Sequence, residues 1–351
     1  MSEPASGVVP MRKLGVGIVG NGMATRVFHT PYVLACDALE LRAVVDRKPD
    51  ALPPAPGVAI VPSLDALLED EVVELVVIAT PTATHGALAR QVIEAGRHLV
   101  VEKPFALDLA EARALVALAE RRGIAMAAFH NRRWDSDFLT VRRAIEDGLA
   151  GEVLHFESHF DRFRPQPRDR WREDGSAGSG VWLDLGPHLV DQALLLFGMP
   201  QRVSADIAAL RPGGLSADWA HVVLHYPGRR IVLHASMTVA GGEPRFRVHG
   251  TRATLIKTQP DPQEAQSGQG LRPGDEGWGV DTDPLLVVDG EGATRTVPAE
   301  TGHQQAFYEA MARACRGLGP VPTQPVEVLG VQTVLEAALV SAREGRVVET
   351  A

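Results

Sequence analysis

Short, continuously apolar runs alternate with helical patterns along the N-terminal third of this chain. The runs fall at 16–20, 41–45, 58–61, 75–79, 98–102 and 124–129. A strand that is apolar on both faces has to be covered on both faces, which is the habit of parallel sheets flanked by helices. Helix signals fill the gaps. Thr84 can cap a helix that carries Leu88, Val92 and Ile93 on one face and stops at Gly96. Asp108 and Glu111 have capping-box spacing ahead of Ala114, Leu115 and Leu118, and Gly123 closes that helix. Such alternation predicts an α/β unit, a doubly wound parallel sheet of the Rossmann type.

The texture changes after Phe129. A helix is predicted over 136–146, ending at Gly148. Residues 220–226 and 230–238 then alternate apolar and polar around Pro227-Gly228, the pattern of a half-exposed antiparallel hairpin. Further strands are expected at 152–161, 202–209, 245–249, 252–257 and 285–288, and helices at 187–197, 303–316 and 326–343. Residues 162–180 and 258–279 read as long loops. The second part is therefore α+β, built on a large, mostly antiparallel sheet. The expected division is a disordered tail at 1–11, a dinucleotide-binding domain at 12–131, and a substrate-binding and oligomerisation domain at 132–351. Trp219, Val223 and Val232 fall on the sheet face away from the core, so a homodimer or homotetramer packed through that face is expected.

Composition narrows the function classes. Lys and Arg number 35 against 44 Asp and Glu, a net charge of −9, which argues against nucleic acid as a partner. Two cysteines, Cys36 and Cys315, rule out a disulfide scaffold and a Cys-based zinc site and fit a reducing compartment. No run of 18 apolar residues occurs and the first ten residues lack signal-peptide character, so no membrane association and a cytoplasmic location are expected.

The sharpest local motif is Gly20-Asn21-Gly22-Met23-Ala24-Thr25, which ends the first predicted strand and opens a helix. Gly20 permits the tight turn, Gly22 lets backbone approach a pyrophosphate, and the helix N-terminus offers free N–H groups. Thr25 stands where a third glycine is usual, and a small residue can still pack there. Asp46 ends the second predicted strand. A carboxylate there bonds ribose hydroxyls and repels a 2′-phosphate, which favours NAD. Arg47 and Lys48 follow directly and suit that phosphate, so NADP stays open.

At Glu102-Lys103-Pro104 the chain resembles the Gfo/Idh/MocA oxidoreductases. Ala79-Thr80-Pro81 with His85, and Asp184-Leu-Gly-Pro-His188-Leu-Val-Asp191, support the likeness in the family's order. Segments 130–140, 170–173 and 196–200 are similar to the NADP-dependent scyllo-inositol dehydrogenase subgroup. The resemblance implies a nicotinamide in the cleft between the two domains and a cis Lys103–Pro104 bond. It also implies that Thr80, Pro81, His85, Glu102, Asn131, Trp171 and Arg172 meet the coenzyme.

The chemistry of an alcohol oxidation points to the same residues. A hydride acceptor must be joined by a base and by a group that steadies the developing alkoxide. His188 has a suitable titration range for the base. Lys103 sits at the carboxyl end of a parallel strand and can hold the substrate oxygen. Asp184, four residues before His188 and just ahead of Pro187, suits a helix's first turn and shares a face with His188. Taken singly, Lys103 reads better as a solvated strand end, Asp184 as an N-cap and His188 as a satisfied helix histidine. It is the three together that read as catalytic.

Arg132, Arg133, Trp134 and Arg164 offer donors and an apolar face to a polyol, with at least one arginine expected in a structural ion pair. His155 and His159 share a strand face without a carboxylate at ligand spacing and read as sheet residues, so no metal is expected. The reading is an NAD(P)-dependent dehydrogenase of a cyclic polyol or sugar, an inositol above all. The alternatives are a non-catalytic dinucleotide-sensing regulator and an NAD-assisted glycoside-cleaving enzyme, both of which the resemblance allows.

Overall fold

The computed structural model describes residues 12–48 and 50–350, and the expected tail lies outside them. Six strands form the first sheet: β1 (Leu14–Val19), β2 (Leu39–Val45), β3 (Ala59–Val61), β4 (Val73–Ile78), β5 (His98–Val101) and β6 (Met126–Ala128). All pair in parallel, in the order β3-β2-β1-β4-β5-β6. Helices α1 (Thr30–Ala35), α2 (Leu64–Leu68), α3 (His85–Glu94) and α4 (Leu109–Arg122) connect the strands. Val16, Ile18, Val76, Val77, Val100 and Val101 are fully buried, as strands covered on both faces require. Strand order reverses between β1 and β4, and the crevice at their carboxyl ends is where such sheets bind ligands.

Local signals in the sequence hold with small differences. A π turn at Thr25–His29 leads into α1, and the Thr25 hydroxyl donates to the Gly20 carbonyl at 2.7 Å, closing the turn from within. Asp108 caps α4 by accepting from the Glu111 N–H at 2.8 Å. The return bond goes one residue further back, because the Glu111 carboxylate accepts from Leu107 N–H instead. Thr84 stands at the cap of α3 without capping it. A 3₁₀ turn at Thr82–Thr84 runs straight into the helix, and the Thr84 hydroxyl donates to the Pro81 carbonyl. The Lys103–Pro104 peptide is cis.

The second sheet has the order β14-β13-β12-β11-β7-β10-β9-β8-β15. Its strands are β7 (Val153–Asp161), β8 (Arg202–Ala208), β9 (Trp219–Tyr226), β10 (Arg229–Ser236), β11 (Phe246–Gly250), β12 (Ala253–Lys257), β13 (Leu285–Asp289), β14 (Thr294–Val297) and β15 (Val348–Glu349). Only β7 and β10 run parallel. The helices here are α5 (Ser136–Glu146), α6 (Val181–Phe197), α7 (Gln263–Gly268), α8 (Ala306–Cys315) and α9 (Pro325–Glu344). Two expectations change. Helix α6 starts at Val181, so Pro187 lies inside it rather than at its first turn. The segment expected to be one loop at 258–279 contains α7. The short edge strands β14 and β15 carry too few apolar residues to be read from pattern.

Alternation on β9 and β10 buries Ala220, Val222, Leu224, Ile231, Leu233 and Ala235 under α6, while α9 covers β8. Each fully buried large apolar side chain contributes roughly 1.5–3 kcal/mol. Helix α9 has the length and hydropathy of a membrane span, but it packs against β8, α6 and α4. It also joins two cores: Val328 packs with the first sheet, and Val331, Val334 and Leu335 pack with the second. Phe307, Tyr308 and Met311 of α8 return to the first domain, beside Tyr32 and Phe129.

Candidate functional site

A cavity of about 810 Å³ runs along the carboxyl ends of β1, β2, β4 and β5. Gly20, Asn21, Gly22, Met23 and Ala24 form its floor, and Asp46, Arg47, Thr80, Pro81, Glu102, Lys103, Trp171 and Arg172 complete its walls. Gly20 has φ +103°, and a Cβ there would lie 2.6 Å from the Ala79 carbonyl oxygen, so only glycine fits. At Gly22 a Cβ would meet nothing within 4 Å, which leaves bare backbone facing the cleft. Asp46 accepts from Asn21 Nδ2 at 3.1 Å and from Lys48 N–H at 3.0 Å. The Lys48 N–H bond is the main reason that its carboxyl is held below the usual range. A bare glycine turn, a helix start and an ionised carboxylate at the end of β2 suit a dinucleotide.

A second cavity, about 190 Å³, adjoins the first. Glu102, Lys103 and Arg172 line both. Lys103, Asp184 and His188 all face it, so residues distant in the chain converge as expected. Lys103 Nζ donates to the Asp184 carboxylate at 3.1 Å and to the Asp184 main-chain carbonyl at 2.6 Å. The lysine thus grips the first turn of α6 through backbone as well as side chain. Arg172 Nε also donates to the Asp184 carboxylate, at 3.1 Å. Burial alone would raise the Asp184 pKa, but the charges of Lys103, Arg172 and Arg162 outweigh it and hold this carboxyl ionised. Burial, and then the Lys103 and Arg132 charges, push the His188 imidazole well below its ordinary pKa. Its Nδ1 is buried and has no partner among the described residues. A neutral imidazole facing the cavity, beside an ammonium clamped by a carboxylate, can accept a proton from a bound hydroxyl.

Several residues take other roles than those expected. His85 is buried behind the cleft, with Nδ1 2.9 Å from the Pro104 carbonyl oxygen and Nε2 2.9 Å from that of Thr80. It braces two cleft loops and does not line the cavity. Trp134 packs edge-on against Phe307 and also lies away from the cavity. Two arginines are ion-paired: Arg133 with Asp191 and Glu327, and Arg132 with Asp135 and Glu264. Asn131 faces the second cavity and donates to Gln304 at 2.9 Å, and Arg164 also faces it. Arg172 stacks over the Trp171 ring at 4.4 Å.

Sequence reasoning missed a buried chain behind Lys103. Tyr308 Oη lies 2.7 Å from His29 Nδ1, and His29 Nε2 lies 3.1 Å from Glu102 Oε1. Its members sit on three separate elements, and no spacing announces them. Arg162 was missed too, although Arg162 and Arg164 continue the alternation of β7. On the opposite face of that strand the expected sheet histidines gain company. His159, Asp161 and His234 bring ligand-type atoms within 4.8 Å of one another, because β10 pairs with β7 in register.

The oxidoreductase family's NAD-binding Rossmann fold matches residues 14–130, and its C-terminal alpha/beta domain matches residues 142–350. The chain belongs to the Gfo/Idh/MocA family. Within that family it is 43% identical over 333 residues to YdgJ, an uncharacterized oxidoreductase of Escherichia coli, covering 93% of this chain and 96% of that one. It is 32% identical over 339 residues to IolW of Bacillus subtilis, a scyllo-inositol 2-dehydrogenase (NADP(+)), covering 95% of each. A solved structure from Klebsiella pneumoniae superposes with TM-score 0.89 at 45% identity, covering 97% of this chain and 95% of that one. The Rossmann match identifies the first domain as NAD(P)-binding, and the larger cavity lies in that domain's crevice.

Proposed function

We propose that this oxidoreductase transfers a hydride between NAD(P) and a secondary alcohol of a cyclic polyol or sugar. The observation that carries this reading is the junction of the cavities at Lys103. Its ammonium, clamped by Asp184, stands where the dinucleotide cleft opens onto the pocket of His188. When bound, the nicotinamide supplies the hydride acceptor. His188 takes the hydroxyl proton on its imidazole and returns it in the reverse direction. The Lys103 ammonium donates to the substrate oxygen and steadies its developing charge. Asp184 positions Lys103. An inositol or inosose ring skeleton leads the candidates, supported by the activity named for the Bacillus subtilis relative.

The Asp46 carboxylate favours NAD over NADP, since it would face a 2′-phosphate with a like charge. Titration with each coenzyme reads this preference. The working unit is a homodimer or homotetramer paired through the outer face of the second sheet, where Trp219, Val223 and Val232 remain partly exposed.

The test is turnover followed at the nicotinamide absorbance on a panel of inositols, inososes and aldoses. Lys103→Ala and His188→Ala should each lower kcat by roughly 10²–10⁴-fold while dinucleotide affinity survives. Full activity in both variants refutes the assigned roles.

A further inference from the structure

The last residue of β7 is Asp161, but the chain stays extended beyond it. Arg162 N–H donates to the Ser236 carbonyl at 2.8 Å and Arg164 N–H to the Met237 carbonyl at 2.7 Å. Alternation therefore continues. Phe156, Ser158 and Phe160 are buried on the inner face of β7. Arg162 and Arg164 follow on that same face, where the core gives way to the cavity of Lys103, Asp184 and His188. Phe163, between them, is exposed on the other side.

The charges around this cavity do not balance. Seven cationic side chains face it against three carboxylates, and each carboxylate already has partners. Asp184 holds Lys103 and Arg172, Glu264 holds Arg132, and Glu102 holds His29. Arg170 turns to Glu173 outside the cavity. Arg162 and Arg164 form no ion pair and donate no side-chain hydrogen bond among the described residues, and one Nη of Arg164 is buried without a partner. Burial lowers the Arg162 pKa. Burial acts likewise on Arg164, followed by repulsion from Arg162, Arg168 and Arg170. Unpaired, partly desolvated guanidinium groups are costly. Their planar donor sets match the oxygens of a carboxylate or phosphate. Neither arginine lines the dinucleotide cavity.

We propose that Arg162 and Arg164 bind an oxyanion on the substrate, so that the preferred substrate is a sugar or cyclitol bearing a carboxylate or phosphate group. This rests on the dehydrogenase reading above and sharpens its substrate class. The other source of such an anion is the coenzyme's own diphosphate, which the test separates.

The experiment compares matched compounds: glucose with glucuronate and glucose 6-phosphate, and myo-inositol with its monophosphate. Kinetics at saturating dinucleotide are paired with thermal shifts of the dinucleotide-bound protein, for the wild type, Arg162→Gln and Arg164→Gln. The charged member of a pair should have a kcat/KM at least about tenfold higher. Each variant should raise the KM of that member by on the order of tenfold to hundredfold, the span for losing a hydrogen bond to a charged group, with dinucleotide affinity intact. The carboxylate and phosphate arms tell which oxyanion is used. Preference for the neutral members, or an unchanged KM in both variants, overturns the proposal. Weakened dinucleotide binding with unaltered sugar binding assigns the arginines to the coenzyme and overturns it as well. If nothing turns over, the dehydrogenase reading fails and the thermal shifts decide the anion site. Stabilisation by charged compounds alone, lost in the variants, supports it, and no stabilisation by any charged compound overturns it.

Discussion

Lys103 grips Asp184 through both its side chain and its backbone, so the ammonium and the turn of α6 that carries His188 are fixed to each other. The consequence is electrostatic. The ammonium helps to hold His188 neutral, and a neutral imidazole is the form that accepts a proton. Alcohol oxidation should therefore keep its kcat/KM down to a midpoint below 6.5, the ordinary histidine value, and fall only at lower pH. Replacing Lys103 with Gln should move that midpoint upward as total activity drops, which a pH–rate profile of both proteins checks. Stability follows the same sign. The unfolded chain protonates this histidine more readily than the native one, so stability is lost as pH falls below about 6.5. His188→Gln should flatten that part of the Tm profile. The types and order of Lys103, Asp184 and His188 were legible in the sequence, and so was their convergence. The Tyr308–His29–Glu102 chain was not, because three buried polar groups that satisfy one another across elements leave no periodic trace.

At the scale of elements, the glycine turn and α6 set the geometry. Gly20→Ala places a methyl group 2.6 Å from a backbone oxygen that cannot yield, at a φ of +103°. It should destabilise the protein by more than about 1 kcal/mol and weaken dinucleotide binding. Denaturant midpoints and a coenzyme titration measure the two effects. The first sheet was readable strand by strand because parallel strands are apolar throughout. α6 was misread at its start because proline normally marks a first helical turn. Here six helical residues precede it, and Gly180, with φ +99°, supplies the break. The roles of His85 and Trp134 escaped because sequence tells which loop a side chain belongs to, and packing decides which way it turns. His85 spans two loops through their carbonyls, and Trp134 finds Phe307.

For the whole molecule, the outer face of the second sheet leads to a measurement. Light scattering should give a multiple of the 37.6 kDa chain mass. The double variant Val223→Lys, Val232→Lys, which sets like charges opposite one another across β9 and β10, should shift the mass toward one chain. A single-chain mass for the unaltered protein would defeat the pairing. A second measurement concerns the boundary after residue 131. Phe307, Tyr308 and Met311 wall the first domain's core from far along the chain. Residues 12–131 expressed alone should therefore lack dispersed amide signals by NMR. Helix α9 takes this further. Because a single rod of backbone threads both lobes, the crevice is cross-braced rather than hinged. Heating should melt the two lobes together, in one calorimetric peak.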